Sequence, residues 1–202
     1  ENSRDAIFAA LRRREVYATS GPRISLRFFG GSKLPADLCE QAAPIAAADS
    51  LASPMGSTIS GDTAPFFFVK AEQDPGVEGK PGLPLQQIQI VKVWRDASGA
   101  HQEQTFTVAG SAQSDAAVDT GSCLTSGSGA ESLCAVWQDP GYDTTESALY
   151  YARVLENPSC RWSTRQCANF APSERPARCD DGSVPETVQQ RAWSSPIWVR
   201  PS

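Results

Sequence analysis

Six cysteines and a single histidine, His101, are the residues whose chemistry stands out first in this sequence. No two cysteines form a C-x-x-C pair, so the tight Cys/His pairs of a structural zinc site are absent from the sequence. An even number of widely spaced cysteines is typical of disulfides, and it predicts an oxidising compartment, either the periplasm or the extracellular space. Reduced, partly buried thiols are the alternative. The six residues are Cys39, Cys123, Cys134, Cys160, Cys167 and Cys179.

The spacing of the cysteines leaves their pairing open. The shortest closure joins Cys123 to Cys134 across the Ser/Gly-rich segment "LTSGSGAESL". One arrangement that completes this pairing joins the other four residues as Cys160–Cys167 and Cys39–Cys179.

The remaining candidates for chemistry are isolated in the sequence. His101 follows the turn "DASG" and has Glu103 two residues along, but nothing else converges on it, so we interpret it as a solvated strand residue. Asp180 and Asp181 in "CDDGSVPE" could offer oxygen ligands to calcium, but the EF-hand spacing is missing and a capped turn is the simpler interpretation. No catalytic residue and no metal ligand is predicted in this chain.

Aromatic residues offer one further possibility, a platform on which a sugar could stack. Most of the five tryptophans lie in strand patterns, where aromatic side chains usually fill a core. Trp162, inside "PSCRWSTRQC", is the candidate for an exposed, ligand-facing aromatic residue.

Short segments in which apolar and polar residues alternate, separated by turn residues, must position these side chains. "RISLRFF", "PFFFVKAE", "QQIQIVKVWRD", "QEQTFTVAG", "LCAVWQD", "SALYYARVLEN" and "AWSSPIWVR" predict strands, and "NSRDAIFAALRRRE" predicts one helix. The segments 30–64, 110–132 and 157–191 are interpreted as loops. Strand runs with no helix between them predict a mainly β fold, an immunoglobulin/fibronectin-like antiparallel β-sandwich with long Cys-containing loops after an N-terminal helix.

Composition excludes several classes of function. The chain has 202 residues and a formal net charge of −5, which gives no general electrostatic support for binding nucleic acid. No apolar run approaches the roughly 20 residues of a membrane span.

Three segments resemble one known family: "DAIFAALRRREVYATSGPRI", "ALYYARVLENPSCRWST" and "QQRAWSSPIWV". They are similar to the C-terminal portion of the bacterial domain-of-unknown-function family thirty-six-oh-four, which is grouped with the polymerase-and-histidinol-phosphatase (PHP) metal-dependent phosphoesterases. The resemblance runs from Glu1 to about Pro201. It implies an upstream α/β barrel that carries His- and Asp-rich motifs and divalent metals. With one histidine and no H-x-H motif, this chain offers no position onto which a metal ligand can be carried over.

The resemblance predicts the domain organisation and the function of the chain. Residues 1–16 would be the terminal helix of the missing barrel, and residues 17–202 the β-sandwich domain. The crossing "YATSGP" makes Tyr17, Thr19 and Arg23 candidates for an interdomain seam. The chain itself is then a non-catalytic, exported module that stabilises a probable phosphoesterase, with the barrel as its partner and oligomer contacts possible. The alternative is an accessory module that binds glycan or envelope material.

Overall fold

Alternating apolar residues produce two sheets whose apolar faces pack together. The computed structural model describes residues 1–171 and 173–201, and the fold is mainly β, as predicted, with 39% strand and 16% helix. The strands are β1 (Tyr17–Thr19), β2 (Ser25–Gly31), β3 (Ser53–Pro54), β4 (Thr58–Ser60), β5 (Phe66–Glu72), β6 (Leu85–Arg95), β7 (His101–Gly110), β8 (Ala117–Val118), β9 (Thr125–Ser126), β10 (Ser132–Gln138), β11 (Ala148–Glu156), β12 (Ser159–Cys160), β13 (Thr187–Val188), β14 (Arg191–Ser194) and β15 (Ile197–Arg200). The α-helices are α1 (Arg4–Arg13), α2 (Pro44–Leu51) and α3 (Trp162–Ala168).

The larger sheet has seven strands and is organised around β11. On one side of β11 lie β6 and then β7; on the other side β14 and β15 follow one another along its length and continue to β1 and β4. The break between β14 and β15 falls at Ser195 and Pro196, where the proline cannot donate a backbone hydrogen bond to the sheet. All pairs in this sheet are antiparallel except β15 with β4, which is parallel.

The smaller sheet has the order β10-β5-β2-β3, and its inner face covers the larger sheet. Phe28 of β2 and Phe67 of β5 stack with their ring centroids 5.5 Å apart, and Phe67 also contacts Tyr150 of β11 at 4.5 Å. Phe106 of β7 lies 4.7 Å from Trp137 of β10, which closes one edge of the sandwich. The main core therefore lies between the two sheets.

A second, smaller core covers the outer face of the smaller sheet, and the sequence analysis missed it. Phe29 and Phe68 point outward from β2 and β5, where Leu38 and Ala48 cover them. Leu38 belongs to a 3₁₀ helix, Leu38–Glu40, and Ala48 to α2, so the segment 30–64 is not the long loop that was predicted. The predicted helix at the N-terminus is confirmed, and Ser3 is its N-cap.

All six cysteines form disulfides, as predicted, but each of the three pairings suggested by the sequence is wrong. The bonds join Cys39 to Cys134, Cys123 to Cys160 and Cys167 to Cys179. Sequence proximity favoured Cys123 with Cys134. In the fold, however, Cys134 faces outward from β10 toward the 3₁₀ helix that carries Cys39, whereas Cys123 lies in a loop next to β12. A disulfide requires Cα atoms about 4.4–6.8 Å apart, which depends on the tertiary structure and not on sequence separation.

Candidate functional site

Helix α1 displays its apolar face to solvent. Ile7, Phe8 and Leu11 lie on one face of the helix and are 50%, 61% and 56% exposed, and no residue of α1 is buried. Apolar residues at this spacing normally pack against another element, and a ten-residue helix is marginal without such packing. The exposed face is therefore a candidate interaction surface, and we call Ile7, Phe8 and Leu11 the helix stripe.

Arg14 ties the end of α1 to the sandwich. Its backbone adopts a left-handed conformation with φ of 60°, and its N–H caps the last turn of the helix. Its guanidinium donates hydrogen bonds to the Gly56 carbonyl oxygen at 3.0 and 3.2 Å and lies 5.1 Å from the centroid of the Trp198 ring. Gly56 itself has φ of +91°, and a Cβ there would clash with the Arg14 carbonyl. These contacts hold the helix stripe in a defined position relative to β15.

A groove lies beside this junction. One cavity of about 350 Å³ is lined by Glu15, Tyr17, Arg27 and Met55 among others, and a neighbouring cavity of about 450 Å³ shares Glu15 and Arg27 and continues toward α2. Arg27 comes from the outer face of the smaller sheet, so the groove runs between the end of α1 and that sheet. The groove and the helix stripe thus adjoin the same crossing into β1.

The comparisons with known proteins give one match. A family model described as "Protein of unknown function (DUF3604)" matches residues 1–201. The chain belongs to the DUF3604 family. No curated protein and no solved structure matches it. The match confirms the family that the quoted segments predicted, while the link to PHP hydrolases stays a prediction.

The three predicted seam residues of the DUF3604 chain lie along one path but do not meet in one site. Tyr17 lines the groove and is partly exposed. Thr19 pairs with Ala192 in the sheet. Arg23 lies beyond β1, where its guanidinium donates to Asp74 Oδ1 at 3.2 Å.

Asp74 shows why Arg23 is held at that end of the fold. Its carboxylate accepts hydrogen bonds from the backbone N–H groups of Arg23 and Gly76 as well as from the Arg23 guanidinium. These bonds, the backbone ones above all, hold the pKa of Asp74 below its usual value. Arg23 therefore has a local structural partner.

The other candidates named from the sequence are scattered. Trp162 is 74% exposed, as expected, at the start of α3. His101 is exposed, with Nε2 3.4 Å from Arg95 Nη2. Asp180 pairs with Arg175 at 3.1 Å, and Asp181 accepts a hydrogen bond from the Ser183 N–H, as in a capped turn. Within residues 1–171 and 173–201, no group of three or more His, Cys, Asp or Glu could hold a metal ion, so no metal site is assigned to the DUF3604 chain.

A buried ion pair, Lys92 with Asp139, was not predicted from the sequence. Lys92 Nζ lies 2.6 Å from Asp139 Oδ2, and both residues are only 3% exposed. Asp139 also accepts hydrogen bonds from the Tyr150 hydroxyl at 2.7 Å and the Gly141 N–H at 2.9 Å, and Lys92 donates to the Gly141 carbonyl. Burial and the bond to Asp139 raise the pKa of Tyr150. The alternation of strand β6 could have predicted this burial, because Lys92 occupies an inward-facing position between Ile90 and Trp94.

Glu156 is a second buried ionisable residue that was missed. It ends β11, and its Oε1 has no hydrogen-bond partner among the described residues. Burial, with a smaller contribution from the negative charge of Asp74, raises the pKa of Glu156 to about 7. Neither Glu156 nor the Lys92–Asp139 pair lines a described cavity, so both are interpreted as structural features.

Proposed function

We propose that this chain is the non-catalytic, C-terminal β-domain of an exported PHP-like metal-dependent hydrolase, and that its helix stripe packs against the hydrolase barrel. The single observation that carries this proposal is the solvent-exposed stripe of Ile7, Phe8 and Leu11 on a helix with no buried residue. The reaction class, a probable phosphoester hydrolysis on an unidentified substrate, comes from the family resemblance.

The energetics of the helix stripe favour a covering partner. Fully burying a Leu, Ile or Phe side chain stabilises a protein by about 1.5–3 kcal/mol, and each of these three residues is about half exposed. Covering the stripe would therefore contribute roughly 2.5–5 kcal/mol. That is a substantial fraction of the stability of a typical domain, so the partner and the helix would stabilise one another.

The domain's own role in this proposal is positional. Arg14 fixes the angle at which α1 leaves the sandwich, so a barrel that packs on the helix stripe is held at one orientation. A bound divalent metal in the barrel would supply the activated water for hydrolysis. The β-domain contributes no group to that step and acts by stabilising the barrel.

Export is part of the proposal. The three disulfides are consistent with a periplasmic or extracellular location. In the part of the chain that the structure describes, no helix has the length and apolar character needed to cross a membrane.

The test compares a stripe variant with a matched control in the complete gene product. Phe8→Asp places a charge on the stripe, while Leu124→Asp changes an apolar residue that is 71% exposed elsewhere. We expect Phe8→Asp, but not Leu124→Asp, to lower the thermal midpoint and the Mn²⁺-dependent hydrolysis of bis(p-nitrophenyl) phosphate. The proposal fails if both variants behave alike, if the complete gene product has no barrel, or if the 202-residue chain hydrolyses the ester alone.

A second candidate function, the glycan- or envelope-binding accessory module, is favoured by the exposure of Trp162 alone. The other aromatic residues give it little support, since Trp94 and Trp137 pack against the main core. Adding bacterial polysaccharide to the wild-type chain and to Trp162→Ala separates the cases. A fluorescence change that the variant loses favours the binding module, and an equal response in both proteins eliminates Trp162 as its platform.

A further inference from the structure

A small pocket lies on the outer face of the larger sheet, where β6, β11 and β15 run side by side. Its floor is apolar, because Val93 pairs with Leu149 and Leu149 pairs with Trp198 in the sheet register. These side chains point away from the main core, since successive residues of a strand alternate between faces and their neighbours Ala148 and Val199 belong to the core. An indole ring and two aliphatic side chains thus form one continuous surface.

Basic side chains border this floor at one end. Arg95 and Arg200 each lie two residues beyond the floor residue of their own strand. Both strands are antiparallel to β11, so the two arginines extend past the floor in the same direction. Ser147, just before β11, lies between them, and His101 pairs with Arg95. Because adjacent strands are about 4.8 Å apart, the two arginine Cα atoms on either side of β11 are separated by about 10 Å.

Glu103 lies opposite Val93 in the sheet register, but within the described residues it forms no salt bridge with the arginines of this border. Neither Arg95 nor Arg200 forms a salt bridge within the described part of the chain. No carboxylate lines the pocket. Asp96, next to Arg95, is engaged in its own turn, where it accepts hydrogen bonds from Ser98 and Gln102. In a chain of net charge −5, two guanidinium groups that have no salt bridge and lie beside an apolar floor are a local exception that an anion would complement.

We propose that this pocket binds an anionic saccharide unit, a sugar ring that carries a carboxylate, sulfate or phosphate group. The apolar face of the sugar ring packs on the part of Trp198 that lines the pocket and that Arg14 leaves uncovered. The guanidinium groups of Arg95 and Arg200 bind the anionic group with charge-assisted hydrogen bonds. The Ser147 hydroxyl and the His101 ring are placed to contact sugar hydroxyls. The pocket volume of about 250 Å³ is sufficient for a single sugar ring. This site shares no residue with the helix stripe or with Trp162, and it depends on neither function proposed above.

Binding is measured by calorimetry and by tryptophan fluorescence, since Trp198 forms part of the pocket floor. The probes are D-glucuronate and D-glucose 6-phosphate. D-Glucose and inorganic phosphate, which represent the sugar and the anionic group of D-glucose 6-phosphate separately, are the controls. We expect at least one anionic sugar to bind at least tenfold more tightly than either half. Arg200→Gln and Arg95→Gln should each weaken that binding about tenfold, by loss of a charge-assisted hydrogen bond.

Arg4→Gln is the matched control, because Arg4 is an exposed arginine on α1, away from the pocket. Its affinity for the sugar should equal that of the wild type, and all three variants should keep the wild-type thermal midpoint. The proposal is overturned if neither anionic sugar binds, if inorganic phosphate alone accounts for the affinity, or if Arg4→Gln weakens binding as much as Arg200→Gln.

Discussion

Replacing Lys92 by methionine tests how strongly the buried ion pair stabilises the sandwich. Methionine keeps the length of the side chain in the core but leaves the charge of Asp139 without its cation, 2.6 Å from where the ammonium was. The Tyr150 hydroxyl and the Gly141 N–H still donate to that carboxylate, so it stays hydrogen-bonded but uncompensated. Breaking a buried pair in this way costs about 3–5 kcal/mol. We expect Lys92→Met to lower the free energy of unfolding by that amount.

The assay is equilibrium unfolding in urea at pH 7 with the disulfides intact, followed by tryptophan fluorescence and by far-UV circular dichroism to check that the transitions coincide. The control is the double variant Lys92→Met/Asp139→Asn, in which the asparagine carbonyl can still accept the Tyr150 hydrogen bond. Because no charge then remains buried, the double variant should recover most of the lost stability. If Lys92→Met lowers the free energy of unfolding by less than about 1 kcal/mol, the reasoning is refuted, because a contribution that small is typical of solvent-exposed ion pairs.

Two further predictions concern stability. Burial raises the pKa of Glu156 from an ordinary 4.5 to about 7, so the folded state binds the proton more tightly than the unfolded state. The resulting stabilisation is complete below about pH 4.5, and up to about 3 kcal/mol is lost as the pH rises through 7. Urea titrations from pH 4 to 8 should show this slope in the wild type and not in Glu156→Gln; equal slopes would contradict it. Replacing both cysteines of Cys39–Cys134 by serine should lower the free energy of unfolding by about 4–5 kcal/mol, and the same change at Cys167–Cys179 by about 3 kcal/mol. The difference arises because the two bonds close loops of 95 and 12 residues. Urea unfolding of the two variants measures both losses, and the reverse order would contradict the loop-length explanation.

The elements that the sequence predicted well are those whose pattern is local. Strand β11 alternates between buried and half-buried residues from Ala148 to Val154, and the first half of β2 shows a similar alternation. Helix α1 was predicted from its apolar spacing together with acidic and basic residues at opposite ends. Each of these signals lies within about ten residues and reports directly on the period of the backbone.

Helix α2 shows where local signals fail. Its sequence, "PIAAADSL", is short and alanine-rich, so it has almost no amphipathic pattern. It becomes a helix in a position where Ala48 covers Phe68 on the outer face of the smaller sheet. Small residues suit close packing on a sheet, but that need is visible only once the sheet exists.

The candidate sites depended still more on distant contacts. Exposure of Trp162 was predicted, whereas the pocket at Trp198 requires β6, β11 and β15 to adopt one register, and residues 93 and 198 are more than a hundred positions apart. The Lys92–Asp139 pair and the Arg14–Trp198 contact are likewise formed between remote segments.

The sequence by itself determined that this chain is mainly β, begins with an amphipathic helix, forms disulfides and belongs to its family, because those properties follow from residue periodicity, composition and long matching segments. Only the tertiary structure decided which cysteines are bonded, which charges are buried and where an apolar floor meets the arginines Arg95 and Arg200. Those features depend on distances of a few ångströms between residues far apart in the chain, and sheet register and packing set such distances.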